Sequence, residues 1–279
     1  MGSPVGRFPP GPVIGLNYTI FGDPHCPAIL FLHGFMGSGA DWADAILALE
    51  ERFYCVVPDL PGHGRSLGLP PEHYTIEGTK EALLGLLDDF GIERPMVVGY
   101  SMGGRLALYL ALRHPERCSR LFLESASPGI EDATERKARR RSDEEKVLRL
   151  ESGNLASFLD DWYRQPLFAS LTRREGLLQK TIGARLHNDP AELARSLRGM
   201  GTGNQAPLWG ELGALLAPAL AVAGELDEKY VGIASRMEAL SPRVRITVVP
   251  EAGHNVRLEA PKAYLALLKR FLGTPEAGF

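Results

Sequence analysis

Met96-Val97-Val98-Gly99-Tyr100-Ser101-Met102-Gly103-Gly104-Arg105-Leu106-Ala107-Leu108-Tyr109-Leu110-Ala111-Leu112 is the stretch whose reading decides the fold. A short β-type run leads into Gly99-Tyr100-Ser101-Met102-Gly103, and an amphipathic helical run follows. G-x-S-x-G between a strand and a helix is the pattern of a nucleophile elbow, a tight turn that holds a serine at the carboxyl end of a strand. Residues 99 and 103 carry no Cβ, so the turn can close and the helix can pack against the strand. A helix starting at Ser101 or Met102 also aims its free N–H groups at the serine. Many loops contain G-x-S-x-G by chance; the flanks here, with the added Gly104-Arg105, supply the context that the motif needs.

Outward from the elbow, Leu16–Phe21, Ala28–Leu32, Phe53–Val57, Pro95–Val98 and Arg120–Leu123 read as strands. Several are short and continuously apolar, as strands buried on both faces are. Asp41–Glu51, Thr75–Phe90 and Met102–His114 read as helices. This alternation predicts an α/β fold, a mostly parallel central sheet with helices on both faces. It stops near Ser127. From there to Trp209 only helical stretches follow, at Thr134–Glu151, Ala156–Arg164, Arg173–His187 and Pro190–Met200. Alternation resumes with a strand at Ala219–Ala223, a helix near Tyr230–Leu240, a strand at Arg245–Val249 and a helix at Pro261–Phe271. The expected organisation is a core of residues 1–126 and 210–279 with a helical cap insertion at 127–209. Residues 1–12, rich in Pro and Gly, read as a loose lead-in.

A chain of 279 residues suits one large domain or one core with an insertion. Hydrophobic residues make up 44% of it, ordinary for a globular protein, and the net charge of −3 argues for neither nucleic acid nor an anionic membrane as partner. Three cysteines, Cys26, Cys55 and Cys118, do not make a disulfide framework and point to a reducing compartment. No signal-peptide pattern opens the chain and no apolar run is long enough to span a bilayer. A cytoplasmic protein is expected. The basic cluster Arg136, Lys137, Arg139, Arg140 and Arg141 is offset by Asp143, Glu144 and Glu145 and reads mostly as a solvated helix face.

A serine hydroxyl needs a histidine to take its proton and an acid to orient that histidine. After an elbow serine the expected chain order is acid, then histidine. Strand 219–223 ends in Gly224-Glu225-Leu226-Asp227, and strand 245–249 ends in Pro250-Glu251-Ala252-Gly253-His254. Ser101, Asp227 and His254 would then all lie at carboxyl ends of parallel strands, where open α/β sheets place their sites. Glu225 competes with Asp227 but sits closer to its strand. His33 and His63 precede the elbow, against the order, and read as loop residues; His114, before Pro115 at a helix end, reads as exposed. The oxyanion donors expected are the backbone N–H groups of Met102, next after the serine, and of Phe35, in the loop after strand 28–32. No histidine has metal-binding spacing to Cys or carboxylates.

LHGFMGSGADW, DLPGHGRS, GYSMGGRLAL, GELDEKY and AGHN resemble the α/β-hydrolase superfamily across the core. Residues 124–129 (ESASPG), 135–139 (ERKAR) and 158–168 (FLDDWYRQPLF), Arg185 before His187-Asn188, and 200–203 (MGTG) resemble one family within it, the 2-succinyl-6-hydroxy-2,4-cyclohexadiene-1-carboxylate synthases of menaquinone biosynthesis. That resemblance implies a cofactor-free lyase rather than a hydrolase. Its serine would act as base, taking a ring-carbon proton as pyruvate is eliminated, while the oxyanion hole holds charge on a succinyl carbonyl oxygen. It also implies a small-molecule polycarboxylate substrate bound by Tyr100, Arg105, Arg139, Trp162 and Arg185. The arginine fork suits carboxylates, and an ordinary esterase has no need of an arginine directly after its elbow glycines. A serine hydrolase, carboxylesterase or carbon–carbon bond hydrolase, with the same triad is the alternative; a binding module without chemistry would have no need of all three triad residues.

Overall fold

The computed structural model describes residues 15–273; the lead-in expected at 1–12 lies outside them. Seven strands, β1 (Tyr18–Phe21), β2 (Ala28–Leu32), β3 (Tyr54–Pro58), β4 (Met96–Tyr100), β5 (Arg120–Glu124), β6 (Ala219–Gly224) and β7 (Val244–Val249), form one sheet in the order β1-β3-β2-β4-β5-β6-β7. β1 runs antiparallel to β3, and every other pairing is parallel. The order reverses direction between β2 and β4. Loops leaving the carboxyl ends of these two strands therefore flank the crevice where open α/β sheets bind ligands.

Helices α1 (Ala43–Leu47), α2 (Ile76–Asp89), α3 (Met102–Arg113), α4 (Ala133–Glu151), α5 (Leu155–Tyr163), α6 (Ala169–Thr172), α7 (Glu175–Arg185), α8 (Pro190–Met200), α9 (Glu228–Leu240), α10 (Val256–Glu259) and α11 (Pro261–Gly273) complete the order. Side chains alternate between the two faces of a strand, and both faces are covered. Leu30, Val97 and Leu121 pack with Leu83 of α2, Leu106 of α3 and Met237 of α9. Ile29, Phe31, Val98 and Phe122 pack with Ile46 of α1 and Tyr264 and Phe271 of α11. Each such side chain, fully buried, contributes roughly 1.5–3 kcal/mol.

α4 to α8 lie between β5 and β6 and share a third cluster, with Val147, Phe158, Leu159, Leu193 and Leu197 around Met36 from the loop after β2. That contact ties the helical insertion to the sheet's crevice. No helix among the described residues is long and apolar enough to cross a membrane. Cys26, Cys55 and Cys118 are all unpaired, and burial pushes the thiols of Cys55 and Cys118 up to about 12.

Most expected elements are present, with shifted ends. The helix expected over 41–51 is shorter. A 3-10 turn, Gly39–Trp42, precedes α1, and the chain leaves α1 through turns. Leu49 and Arg52 there bond three residues back while Glu50 and Phe53 bond four back, so the periodic burial of Ile46 and Leu49 continues without a regular helix. β4 extends past Val98 because Gly99 and Tyr100 still pair with Leu123 and Glu124. The turn begins at Ser101 itself. Short elements at Pro166–Phe168, α6, Trp209–Ala214 and α10 were not expected; one or two turns are too short to carry a period.

Candidate active site

Ser101 lies between β4 and α3 at φ 50 and ψ −106, a conformation costly for a residue with a Cβ and held only where the surroundings enforce it. They do so by close approach. A Cβ on Gly103 would sit 2.1 Å from the Leu32 carbonyl oxygen, and one on Gly99 would sit 2.6 Å from that of Gly103. The elbow is thus clamped between β2 and its own helix, and the Ser101 N–H donates to the Glu124 carbonyl oxygen of β5 at 2.9 Å.

Asp227 occupies the N-cap of α9, and His254 lies in the loop between β7 and α10. His254 Nδ1 is 2.7 Å from Asp227 Oδ2, and His254 Nε2 is 3.2 Å from Ser101 Oγ. With Asp227 ionised, Nδ1–H donates to the carboxylate and Nε2 is left to accept the serine proton. The histidine is 1% exposed. The Tyr230 ring meets it edge-on at 4.6 Å and Phe168 at 5.9 Å. These contacts limit its rotation. His254 is therefore within hydrogen-bond reach of both other residues expected from chain order.

The rivals are elsewhere. Exposed Glu225 accepts from the Glu251 N–H. His33 is fully buried; its Nε2 accepts from the Leu60 N–H at 2.9 Å, so Nδ1 carries the proton and donates to the Gly34 carbonyl oxygen at 2.8 Å. It ties the loop after β2 to the loop after β3. His63, also fully buried, packs against His33 and Phe35. His114 is half-buried rather than exposed, beside Lys80 at the far end of α3, roughly 20 Å of helix from Ser101.

A cavity of about 630 Å³ opens over Ser101 and His254. Phe35 and Met102 line it, and the Met102 N–H is in the first helical turn, where no carbonyl of the same helix can satisfy it. Tyr100, Arg105, Arg139, Trp162 and Arg185 line it as well. Of the five clustered basic residues of α4, only Arg139 does so. Arg136 turns back on the Ile130 carbonyl oxygen and Arg140 on that of Gly203.

The cations on this wall differ in what already balances them. Arg139 Nε donates to Asp143 at 2.7 Å. Arg185, 7% exposed, grips Asp41 with both terminal nitrogens at 2.8 Å. Burial alone would lower the Arg185 pKa, but Asp41 outweighs it and holds the guanidinium above its ordinary value. Asp41 is correspondingly held below the usual carboxylate range by Arg185 and Arg257 against its own burial. Among the described residues Arg105 has no such partner. It donates to Gln205 Oε1 at 2.8 Å and to the Met200 carbonyl oxygen at 2.7 Å, both neutral, and burial pulls it down to about 10. A buried cation facing a cavity without a counter-charge fits an anionic ligand. Sequence reasoning missed Asp41, Gln205 and the cavity-lining Lys146. Lys146 lies seven positions after Arg139, two turns along the same helix face, a spacing that the charge run around them obscured.

The family described as alpha/beta hydrolase fold matches residues 27–261. The 2-succinyl-6-hydroxy-2,4-cyclohexadiene-1-carboxylate synthase of Enterobacter sp. (strain 638) is 34% identical over 256 residues, 91% of this chain and 95% of that one. Protein PHYLLO, chloroplastic, of Arabidopsis thaliana is 33% identical over 258 residues; the match takes in 87% of this chain and only 15% of that much longer protein. Among solved structures, that of MenH from S. aureus superposes with a TM-score of 0.87 at 31% identity, covering 91% of this chain and 97% of that one.

Proposed function

The chain belongs to the alpha/beta hydrolase fold family and, within it, to the 2-succinyl-6-hydroxy-2,4-cyclohexadiene-1-carboxylate synthases, and on that premise we propose that it eliminates pyruvate from 2-succinyl-5-enolpyruvyl-6-hydroxy-3-cyclohexene-1-carboxylate. In this reading Ser101 Oγ, relieved of its proton by His254, removes the proton from the ring carbon that bears the succinyl group. That carbon is α to a carbonyl, so charge passes to the carbonyl oxygen, where the N–H groups of Phe35 and Met102 receive it. As the enolate collapses, its electron pair forms a ring double bond, the existing double bond shifts by one position, and the C–O bond to the enolpyruvyl group breaks. The departing enolate takes up a proton and becomes pyruvate. Asp227 orients His254 and stabilises its charged form. No water is consumed.

The observation that carries this reading is Arg105, a buried cation without a carboxylate, on the wall of the cavity above Ser101. Hydrolysis of a neutral ester gives no reason to maintain it. Tyr100, Arg139, Trp162 and Arg185 form the rest of the binding wall in this reading, with α4 to α8, within residues 127–209, acting as the cap. We further propose a cytoplasmic enzyme, in keeping with three unpaired cysteines.

The test is pyruvate release from the purified protein given the enolpyruvyl substrate. Release well above the spontaneous rate is expected, and Ser101→Ala, Asp227→Asn and His254→Ala should each lower kcat by about 10²- to 10⁴-fold. Release no faster than in buffer would overturn the reading, and a near-normal rate in any one variant would remove that residue from the triad.

A further inference from the structure

Lys146, on the insertion, is a second cavity-lining cation with no carboxylate in direct contact among the described residues. Arg139, Ser142 and Lys146 form one stripe of α4 at spacings of three and four, which puts them on a single helix face toward the cavity. The Lys146 ammonium donates to Ser142 Oγ at 2.6 Å and to the Ser142 carbonyl oxygen at 3.0 Å. Lysine has three donors and no acceptor, so one N–H remains. Among the described residues no carboxylate oxygen lies within 4.0 Å of Nζ; Asp143 and Glu145 act on it only from farther off, and Asp143 gives one oxygen to Arg139. The side chain is half-buried, and burial holds its pKa below the ordinary lysine value.

Charge accounting across the wall gives this residue a purpose. Arg139 is paired with Asp143 through one carboxylate oxygen, and Arg185 with Asp41 through both. Lys229, exposed on α9, sits over the Tyr230 ring at 5.9 Å and stays solvated. Of the buried and half-buried cations on the wall, Arg105 and Lys146 are left. The proposed substrate carries a ring carboxylate, a succinyl carboxylate and an enolpyruvyl carboxylate. Arg105 can take one in its planar fork; a second anion needs another unbalanced cation. Ser142 presets the ammonium by holding two of its protons, which reduces the rotamer entropy that a long lysine would lose on binding.

We propose that Lys146 is a specificity-determining residue of this site, its ammonium binding one of the substrate's carboxylates beside Arg105. This rests on the reading of the reaction above, and the experiment separates the two. Wild-type pyruvate release scores the reaction. Lys146 is scored by equilibrium binding: the intact substrate is titrated calorimetrically into Ser101→Ala and into Ser101→Ala/Lys146→Met. Kd should rise by about 10- to 100-fold in the double variant, and Ser101→Ala/Lys146→Arg should bind within about threefold of Ser101→Ala. In the active background, Lys146→Met should raise KM with little change in kcat, as loss of uniform binding does. Three analogues, each with one carboxylate converted to its amide, locate the contact. For one of them Lys146→Met and wild type should share a KM. An unchanged Kd in Ser101→Ala/Lys146→Met, or a KM penalty that persists with all three analogues, would overturn the proposal.

Discussion

Arg105 holds a charge at 7% exposure with only Gln205 and the Met200 carbonyl oxygen as acceptors. Removing a cation from water costs several kcal/mol, and two neutral hydrogen bonds return part of that. A bound carboxylate would return more, so ligand should stabilise the fold through this residue. In the Ser101→Ala background, substrate at about 100 times its Kd should raise the unfolding free energy by about 2.7 kcal/mol. Adding Arg105→Met should abolish most of that rise at the same concentration, measured by thermal melts with and without ligand. An equal shift in both proteins would remove Arg105 from the binding wall. At this scale the sequence was legible where local pattern set the position. Ser101, Asp227 and His254 each follow a strand, in a fixed order, and the loops bring them within reach. Long-range partners were illegible. Nothing near Arg185 in the chain announces Asp41, which lies 144 positions away.

That pair acts between elements. It joins the last turn of α7 to the 3-10 turn Gly39–Trp42, and Arg257, just past His254, reaches the Asp41 carbonyl oxygen as well. The insertion, the loop after β2 and the histidine loop therefore meet at one buried ion pair. Its side chains are 8% and 13% exposed, so solvent screens it little. Asp41→Ala should leave Arg185 buried and unpaired and cost about 3–5 kcal/mol in urea unfolding. Adding Arg185→Met should recover a large part of the loss, the coupling expected of contacting residues. Equal, additive losses would mean that the pair is not what links these elements. Element types were read well where a period ran for several turns, as over α2 and α8. They were read poorly at α6 and α10, which last one turn, and after α1, where apolar periodicity outlasts the regular hydrogen bonds.

Over the whole molecule, alternation of strand and helix was enough to foretell a parallel sheet covered on both faces. The antiparallel setting of β1 and the reversal of order between β2 and β4 depend on pairing choices that no local pattern encodes. Global stability against pH depends on such tertiary placement too. His63 is fully buried, with Nδ1–H donating to the Pro61 carbonyl oxygen and Nε2 unpartnered. Burial first, and then His33, lower its pKa from 6.5 to about 3. The unfolded chain therefore binds a proton below pH 6.5 that the native state refuses, and stability is lost as pH falls from 6.5 toward 3. Glu124, fully buried at the end of β5, is pushed by burial from 4.5 up to about 7. Here the native state keeps a proton that the unfolded chain releases, so its contribution is present below pH 4.5 and lost as pH rises through 7. Between pH 6.5 and 4.5 the two oppose each other, each at about 1.4 kcal/mol per pH unit. Burial lowers His33 as well, which tilts the sum toward loss in acid. Urea unfolding at both pH values separates them. His63→Gln should lose about 3 kcal/mol less than wild type on acidification across this window, and Glu124→Gln about 3 kcal/mol more. Identical pH dependence in all three proteins would show that neither buried group keeps its unusual protonation state in the folded chain.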